Sequence, residues 1–184
     1  EINFATSLGL GKSVLFINEL YRRAKEDPTI KLKIMTALSL EIPKGKTPLE
    51  KRLVGPLSER LFGGCPELEY MIDLRAHRLP KNVELWEFYS KAGSIMDLPS
   101  QQRRHLPSNY THVSRDAYFT QDTNLFCQMM ACKEINGKMM YSMGSNTDIN
   151  VTANLFLNQG KIQGKKQVIV GEVNENLPFM YGDA

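Results

Sequence analysis

Hydrophobic and polar positions along the chain follow two periods, one of strands and one of helices. Residues 2–6, Ile-Asn-Phe-Ala-Thr, make a short apolar-rich run suited to a strand. A turn with two glycines follows, Ser7-Leu8-Gly9-Leu10-Gly11-Lys12. Over residues 13–25 the apolar side chains Phe16, Ile17, Leu20, Tyr21 and Ala24 recur at helical spacing. Arg22, Arg23 and Glu26 take the other face, and Pro28 stops the helix. Residues 30–38 return to period two, with Ile30, Leu32, Ile34 and Leu38 opposite Lys31 and Lys33. Strand, helix and strand in such close succession form a βαβ unit, which favours a parallel sheet with a right-handed crossover.

The remaining pattern extends this. Thr47-Pro48-Leu49-Glu50 predicts a helix start, with Thr47 as cap, Pro48 at the first helical position and Glu50 completing a capping box. Leu49, Leu53, Leu57 and Leu61 mark one face; Pro56 is expected to kink or split the helix, and Gly63-Gly64 to end it. Residues 66–76 predict a second helix and 83–89 a strand. Residues 99–105 predict a short helix or loop, and 110–113 a short strand. Residues 125–135 predict a long strand, Asn136-Gly137 a tight turn, and 138–143 the returning strand. A helix over 147–157 and a last apolar strand over 167–173 complete the set. The expected fold is a three-layer α/β domain, a mostly parallel sheet flanked by helices, spanning residues 1–184 as one unit.

Composition fits this picture. A chain of 184 residues, 42% hydrophobic and 23% charged, suits one globular domain. No stretch approaches the ~18 apolar residues of a membrane span, and no secretory signal is visible. The chain opens at Glu1 without an initiating Met, so we expect a piece of a longer, cytoplasmic protein. The net charge of +3 is too weak to imply nucleic acid. The odd cysteine count, Cys65, Cys127 and Cys132 without a CxxC, reads as reduced thiols. Cys127 and Cys132 lie five apart on one predicted strand and point to opposite faces, against a shared metal or disulfide.

Candidate chemistry is sparse. His77, His105 and His112 are scattered, and no metal site is expected. Ser108 and Ser114 lie near His105, His112 and Asp116, but no GxSxG elbow is present. Met129, Met130, Met139, Met140 and Met143 read as strand-core packing, with an apolar channel lining as the other reading. The sharpest motif is Thr6-Ser7-Leu8-Gly9-Leu10-Gly11-Lys12-Ser13, which nearly matches GxxxxGK[ST] between a strand and a helix. Its first position is Thr6, not Gly. Three readings stay open for Gly9, Gly11, Lys12 and Ser13: a nucleotide phosphate loop, a tight strand-to-helix turn, or an anion loop near a phosphorylated or thioester cofactor.

The end of the chain adds a family. Gln167-Val168-Ile169-Val170-Gly171-Glu172-Val173-Asn174-Glu175-Asn176-Leu177-Pro178-Phe179-Met180-Tyr181-Gly182-Asp183 resembles the apolar strand and E-V-N-x-N-x-P-x-x-x-G motif of the acetyl-CoA hydrolase/CoA-transferase family. Tyr110-Thr111-His112-Val113-Ser114, the strand and glycine turn over 125–137, and Tyr141-Ser142-Met143-Gly144 resemble its middle. The opening strand, turn and helix resemble its start. The chain departs from the family at Lys133-Glu134-Ile135-Asn136, where Pro-Asp is usual, and at Lys12 or Ser13, where Pro is common. The resemblance implies the N-terminal domain of a CoA-transferase-like α/β enzyme with its active site between two domains. It implies coenzyme A as part of the substrate, with acyl-CoA and a carboxylate or water as reactants. It implies a nucleophilic glutamate in a C-terminal domain beyond residue 184, so that no catalytic residue and no metal are expected here. Backbone N–H groups would stabilise the oxyanion. Glu172 is expected to be structural.

Gly9, Gly11, Lys12, Ser13, Asn174, Asn176 and Gly182 follow strands and are the expected ligand-edge residues. Asn174 and Asn176 are expected chiefly to hold their turn by side-chain-to-backbone hydrogen bonds. The expected partners are the missing domain of the same chain and, in a homodimer, a second copy, with no nucleic acid or membrane. Two further functions stay open: a nucleotide-binding module using Gly9 to Ser13, and a non-catalytic interaction domain derived from the enzyme fold.

Overall fold

The computed structural model describes residues 1–144 and 147–182. Asp183, the last residue of the family-like motif, lies outside them. The sheet has six strands: β1 (Ile2–Thr6), β2 (Leu32–Thr36), β3 (Val83–Glu87), β4 (Leu125–Ile135), β5 (Lys138–Ser142) and β6 (Val168–Val173). β3, β2, β1, β4 and β6 lie side by side and all these pairings are parallel; β5 returns antiparallel along the second half of β4. The chain therefore winds outward from β1 through β2 to β3, then crosses to β4 and β6 on the other side of β1. The switch point lies between β1 and β4, where such sheets open a crevice at their carboxyl ends.

Strand alternation sends neighbouring residues into two cores. On one face Phe4, Ile34, Leu85 and Cys127 meet α1 (Val14–Glu26) and α3 (Glu69–Arg75) through Ile17, Tyr21, Tyr70 and Leu74. On the other, Ala5, Met35 and Phe126 meet α5 (Val113–Thr120) and α6 (Thr147–Ile162) through Val113, Tyr118 and Leu157. These are the three expected layers. Asn18 of α1 stitches the first layer to α3: its Oδ1 accepts from the Glu69 N–H at 3.0 Å, and its Nδ2 donates to the Glu67 carbonyl at 2.8 Å. A buried carboxylate adds to this. Asp73 accepts from Tyr21 Oη at 2.7 Å, Lys25 Nζ at 2.6 Å and Arg78 at 3.1 Å. Burial pushes its pKa up, but these hydrogen bonds and charges outweigh burial and hold it below the usual value.

Three elements differ from their sequence reading. Residues 110–113 form no strand. The Asn109 side chain accepts the His112 N–H at 3.0 Å and turns the chain into α5, whose Val113, Ser114 and Tyr118 are buried. The β-branched pair Thr111 and Val113 imitated a strand across a helix start. α2 (Pro48–Phe62) has its capping box, with Thr47 Oγ1 accepting from Glu50 N and Glu50 Oε2 from Thr47 N. It runs through Pro56 without interruption. Proline frees the carbonyl of Arg52, and Arg52 is exposed, so water can take it up.

α2 has no fully buried residue, and Leu49, Leu53, Leu57 and Leu61 are 53–76% exposed. Nor are all the methionines core: Met139 and Met140 are exposed on β5. The short segment after residue 98 is the helix α4 (Pro99–Gln102). The Asn136-Gly137 turn stands as expected, with φ of 53° and 75°, the pair that a two-residue hairpin turn requires. Among the described residues no helix is long and apolar enough to cross a membrane.

The contrast between α2 and the core makes a measurable difference. Thr47→Ala removes the cap and is expected to lose hydrogen-exchange protection in α2 alone, by about 1 kcal/mol. Phe4→Ala is expected to lower global stability by about 3–5 kcal/mol in urea unfolding. A cooperative loss of global stability in Thr47→Ala would contradict the exposed placement of α2.

Candidate functional site

β1 leads directly into the turn that carries the nearly phosphate-loop sequence. Ser7 and Leu8 follow the strand, Gly9–Gly11 form one 3₁₀ turn, and Ser13 precedes α1. Gly9 has φ of 54°, a left-handed conformation that glycine enters without strain. The turn brings Lys12 round so that its side chain points inward. Its Nζ donates to the Ser7 carbonyl and the Ala37 carbonyl, each at 3.1 Å, and to Thr36 Oγ1. Lys12 is 2% exposed. All three ammonium protons thus have acceptors inside the protein, at the carboxyl ends of β1 and β2. Burial drives its pKa from 10.5 down to about 7; the charge of buried Glu87 pulls the other way and is outweighed. Glu87 itself accepts from the Ser39 and Ser90 hydroxyls at 2.6 and 3.2 Å. Ser39 also meets Tyr70 Oη at 2.8 Å, so a polar network runs under the edge of the sheet.

The N-terminus of α1 is already served. Glu172 Oε2, from β6, accepts the Phe16 N–H at 2.8 Å. A carboxylate there is favoured by the helix dipole. It takes one N–H of the helix N-terminus and gives Glu172 a structural contact between β6 and α1. Ser13 is buried and makes no cap hydrogen bond. Gly11 is buried beside it. The loop has the geometry of a tight strand-to-helix turn, and its lysine cross-links two strand ends.

A cavity of about 150 Å³ opens above this turn at the switch point. Gly9, Lys12 and Val14 form its floor, and Met129 of β4 one side. Leu40 and Ile42 come from the loop after β2, and Leu61, Phe62 and Leu68 from the end of α2 and the start of α3. Cys65 and Glu67 complete the rim, and Glu67 pairs with Lys44 at 2.7 Å. A larger hollow of about 580 Å³ lies at the opposite, amino-terminal edge of the sheet among Glu1, Lys31, Lys33, Lys81 and Glu84. Ligands of doubly wound sheets bind at the carboxyl edge; a second hollow there, of about 330 Å³, lies among Leu8, Leu38, Phe88, Tyr89 and Tyr110, and the smaller cavity is the one at the switch point between β1 and β4.

Of the expected edge residues, Gly9 and Lys12 line this cavity, and Gly11 and Ser13 support its floor. Asn174 reaches it at one remove: its Nδ2 donates to Met129 Sδ at 3.3 Å. Its Oδ1 accepts the Asn176 N–H at 2.9 Å, the expected turn. Asn176 and Gly182 are exposed and do not line the cavity. Sequence reading missed Leu40, Ile42, Phe62 and Leu68, whose apolar character signals core as readily as pocket. It also missed Thr36, Ser39, Tyr70 and Glu87, which meet only after three strands align. The other chemical candidates stay apart. Ser108 donates directly to Asp116 at 2.6 Å, whereas a triad needs an imidazole between hydroxyl and carboxylate. Ser114 donates to the Ile149 carbonyl. Cys127 is buried, and burial pushes its thiol up to about 11, which makes it inert at neutral pH.

Strand order, switch point and βα turn together define a doubly wound α/β domain. Solved structures narrow the class. The crystal structure of RipA from Yersinia pestis matches with a TM-score of 0.56 at 12% identity, over 98% of this chain and 35% of that one. A point mutant of RipA matches with a TM-score of 0.60 at 14% identity, over 99% of this chain and 36% of that one. RipA is CoA-transferase-like, and at these identities the likeness shows the fold alone. The chain spans about a third of the length of the RipA chains it matches. No protein-family model and no curated protein sequence matches it.

Two measurements follow from Lys12 and Glu172. A lysine with folded pKa near 7 and unfolded pKa near 10.5 keeps more protons in the unfolded state between those values. Its contribution to stability therefore rises with pH across that window and is least favourable below pH 7. Lys12→Met lacks this slope. The stability of wild type minus that of Lys12→Met, from urea unfolding, is expected to rise by on the order of 4–5 kcal/mol from pH 6 to pH 10.5. A flat difference would mean a solvated Lys12. Calorimetric titration with ATP and magnesium is expected to give no saturable heat; saturable binding lost in Lys12→Ala would restore the nucleotide reading.

Proposed function

We propose that this chain is one domain of an acyl-CoA hydrolase or CoA-transferase. In that reading the enzyme moves CoA between a thioester and a carboxylate or water. The observation that carries it is the likeness of fold between essentially the whole chain and about a third of CoA-transferase-like RipA. The Glu172–Gly182 motif supports it independently. It begins in the last residues of β6 and runs on beyond it, and through Glu172 and Asn174 it is tied to α1 and to Met129 beside the cavity. Coenzyme A enters as part of the substrate, and the nucleophilic glutamate comes from another domain of a longer, cytoplasmic protein. The cavity then forms one wall of an active site completed by that domain, in a monomer or homodimer.

One observation favours a second reading, a non-catalytic interaction domain: α2 presents four leucines to solvent. Activity separates the two. The chain alone is expected to cleave acetyl-CoA and longer thioesters no faster than background, and a form carrying the following domain to cleave them at enzymatic rates. Turnover by the chain alone would refute the division of labour. Inactivity of the longer form towards all thioesters and acceptors would leave the interaction reading.

A further inference from the structure

α2 leans on the domain along Val54, Ser58 and Phe62, which are half-buried, and Ser58 Oγ donates to the Pro43 carbonyl at 2.7 Å. The neighbouring side of the helix is open. Leu49, Leu53, Leu57 and Leu61 follow at four-residue steps, so they stack along that side, and they are 53–76% exposed. A continuous apolar row left in water marks an interaction surface. Its symmetry says what fits it. Along the helix, Leu53 and Leu57 lie at equal distances from Gly55, as do Leu49 and Leu61. Glu50 and Arg60 obey the same symmetry, and at 3.6 residues per turn both fall within the angular span of the leucine row. Ten residues separate them, about 15 Å along the helix, so they cannot meet within one chain. Turned end over end, a second copy brings its own row onto this one. Glu50 then faces the partner's Arg60, twice over, and Leu53 faces the partner's Leu57. Glu50 is already held for this: its Oε2 accepts the Lys46 and Thr47 N–H groups at 2.7 and 3.0 Å, which leaves Oε1 for the guanidinium.

We propose that α2 is a self-association surface, on which two copies of this chain pair antiparallel through their leucine rows with each Glu50 against the partner's Arg60. Such a contact uses the same patch on both copies and closes on itself, so it stops at a dimer. The leucines supply the affinity and the charges supply direction, since a parallel pairing would set Glu50 against the partner's Glu50. Two helices about 22 Å long bury less than a standard interface does, so the association is weak and depends on concentration. The proposal stands on the α2 face alone and holds whether or not a longer form cleaves thioesters.

The test is sedimentation of the 184-residue chain at rising concentration. Between about 1 and 500 µM a reversible passage from monomer to dimer is expected. Leu53→Glu is expected to weaken the dimer at least a hundredfold, because each dimer loses two buried leucines and must bury two carboxylates. Leu53 is 76% exposed, so the change leaves the core alone, and an unaltered circular dichroism spectrum checks this. Charge reversal reads the register. Arg60→Glu alone and Glu50→Arg alone each set like charges together and are expected to dimerise about tenfold more weakly than wild type. Mixed in equal amounts, the two variants restore both Glu–Arg pairs and are expected to associate more tightly than either variant does alone. Glu50→Arg also loses its half of the capping box, so the comparison is anchored on Arg60→Glu, which leaves the cap intact. A chain that stays monomeric throughout overturns the proposal and leaves the row to a different partner. A dimer indifferent to Leu53→Glu overturns it too, as does a mixture no tighter than the single variants. Thioester cleavage by the longer form is read separately: its failure would remove the enzymatic reading and leave the dimer standing.

Discussion

Lys12 turned inward is the constraint on which the carboxyl edge of this sheet depends. A lysine beside two glycines at the end of a first strand ordinarily offers its charge to a ligand. Here the ammonium ties the Ser7 carbonyl at the end of β1 to Thr36 and Ala37 at the end of β2. That link fixes the path by which the chain leaves both strands. The loop after β2 is thereby carried over the β1–α1 turn, and Leu40 and Ile42 reach the cavity beside Gly9. Burying an ammonium is costly, and a lowered pKa is its signature. The three acceptors and the buried carboxylate of Glu87 offset part of that cost, which is why Lys12, Glu87, Ser39 and Tyr70 form one polar layer beneath an apolar cavity.

The same economy of charge governs the other half of the turn. The first N–H groups of α1 need acceptors, and Glu172 supplies one from β6. A strand far along the chain thus closes the site opened by the first strand, and the motif that follows it is held in place by the Asn174 turn. The lysine that a phosphate loop would offer, and one N–H of the helix N-terminus, are engaged by the fold itself. The glycines remain because the turn is tight.

How much of this was legible in the sequence depended on whether the signal was local. The parallel order of β1 and β2, the capping box at Thr47, the Asn136-Gly137 hairpin and the long β4 follow from neighbouring residues and were readable. So was the three-layer class, because strand alternation in Phe4-Ala5, Ile34-Met35 and Phe126-Cys127 demands a core on each face. α5 was not, since Thr111 and Val113 have strand propensity and only the Asn109 side chain turns them into a helix start. The direction of Lys12 was not readable either. Its acceptors on Thr36 and Ala37 lie 24 and 25 residues away and meet it only when β1 and β2 pair in register. The leucine spacing of α2 was legible as a helix face, but its exposure was not, because periodicity reports that a face is apolar and not what covers it.

That uncovered face bears on the site. α2 contributes Leu61 and Phe62 to the cavity wall, yet none of its residues is buried, so this wall is held by little more than its cap and its connections. The floor is the reverse, since Lys12, Ser13 and Gly11 are buried against the central strands. Local stability follows buried contacts, so the site joins a rigid floor to a wall drawn from the least stable part of the domain.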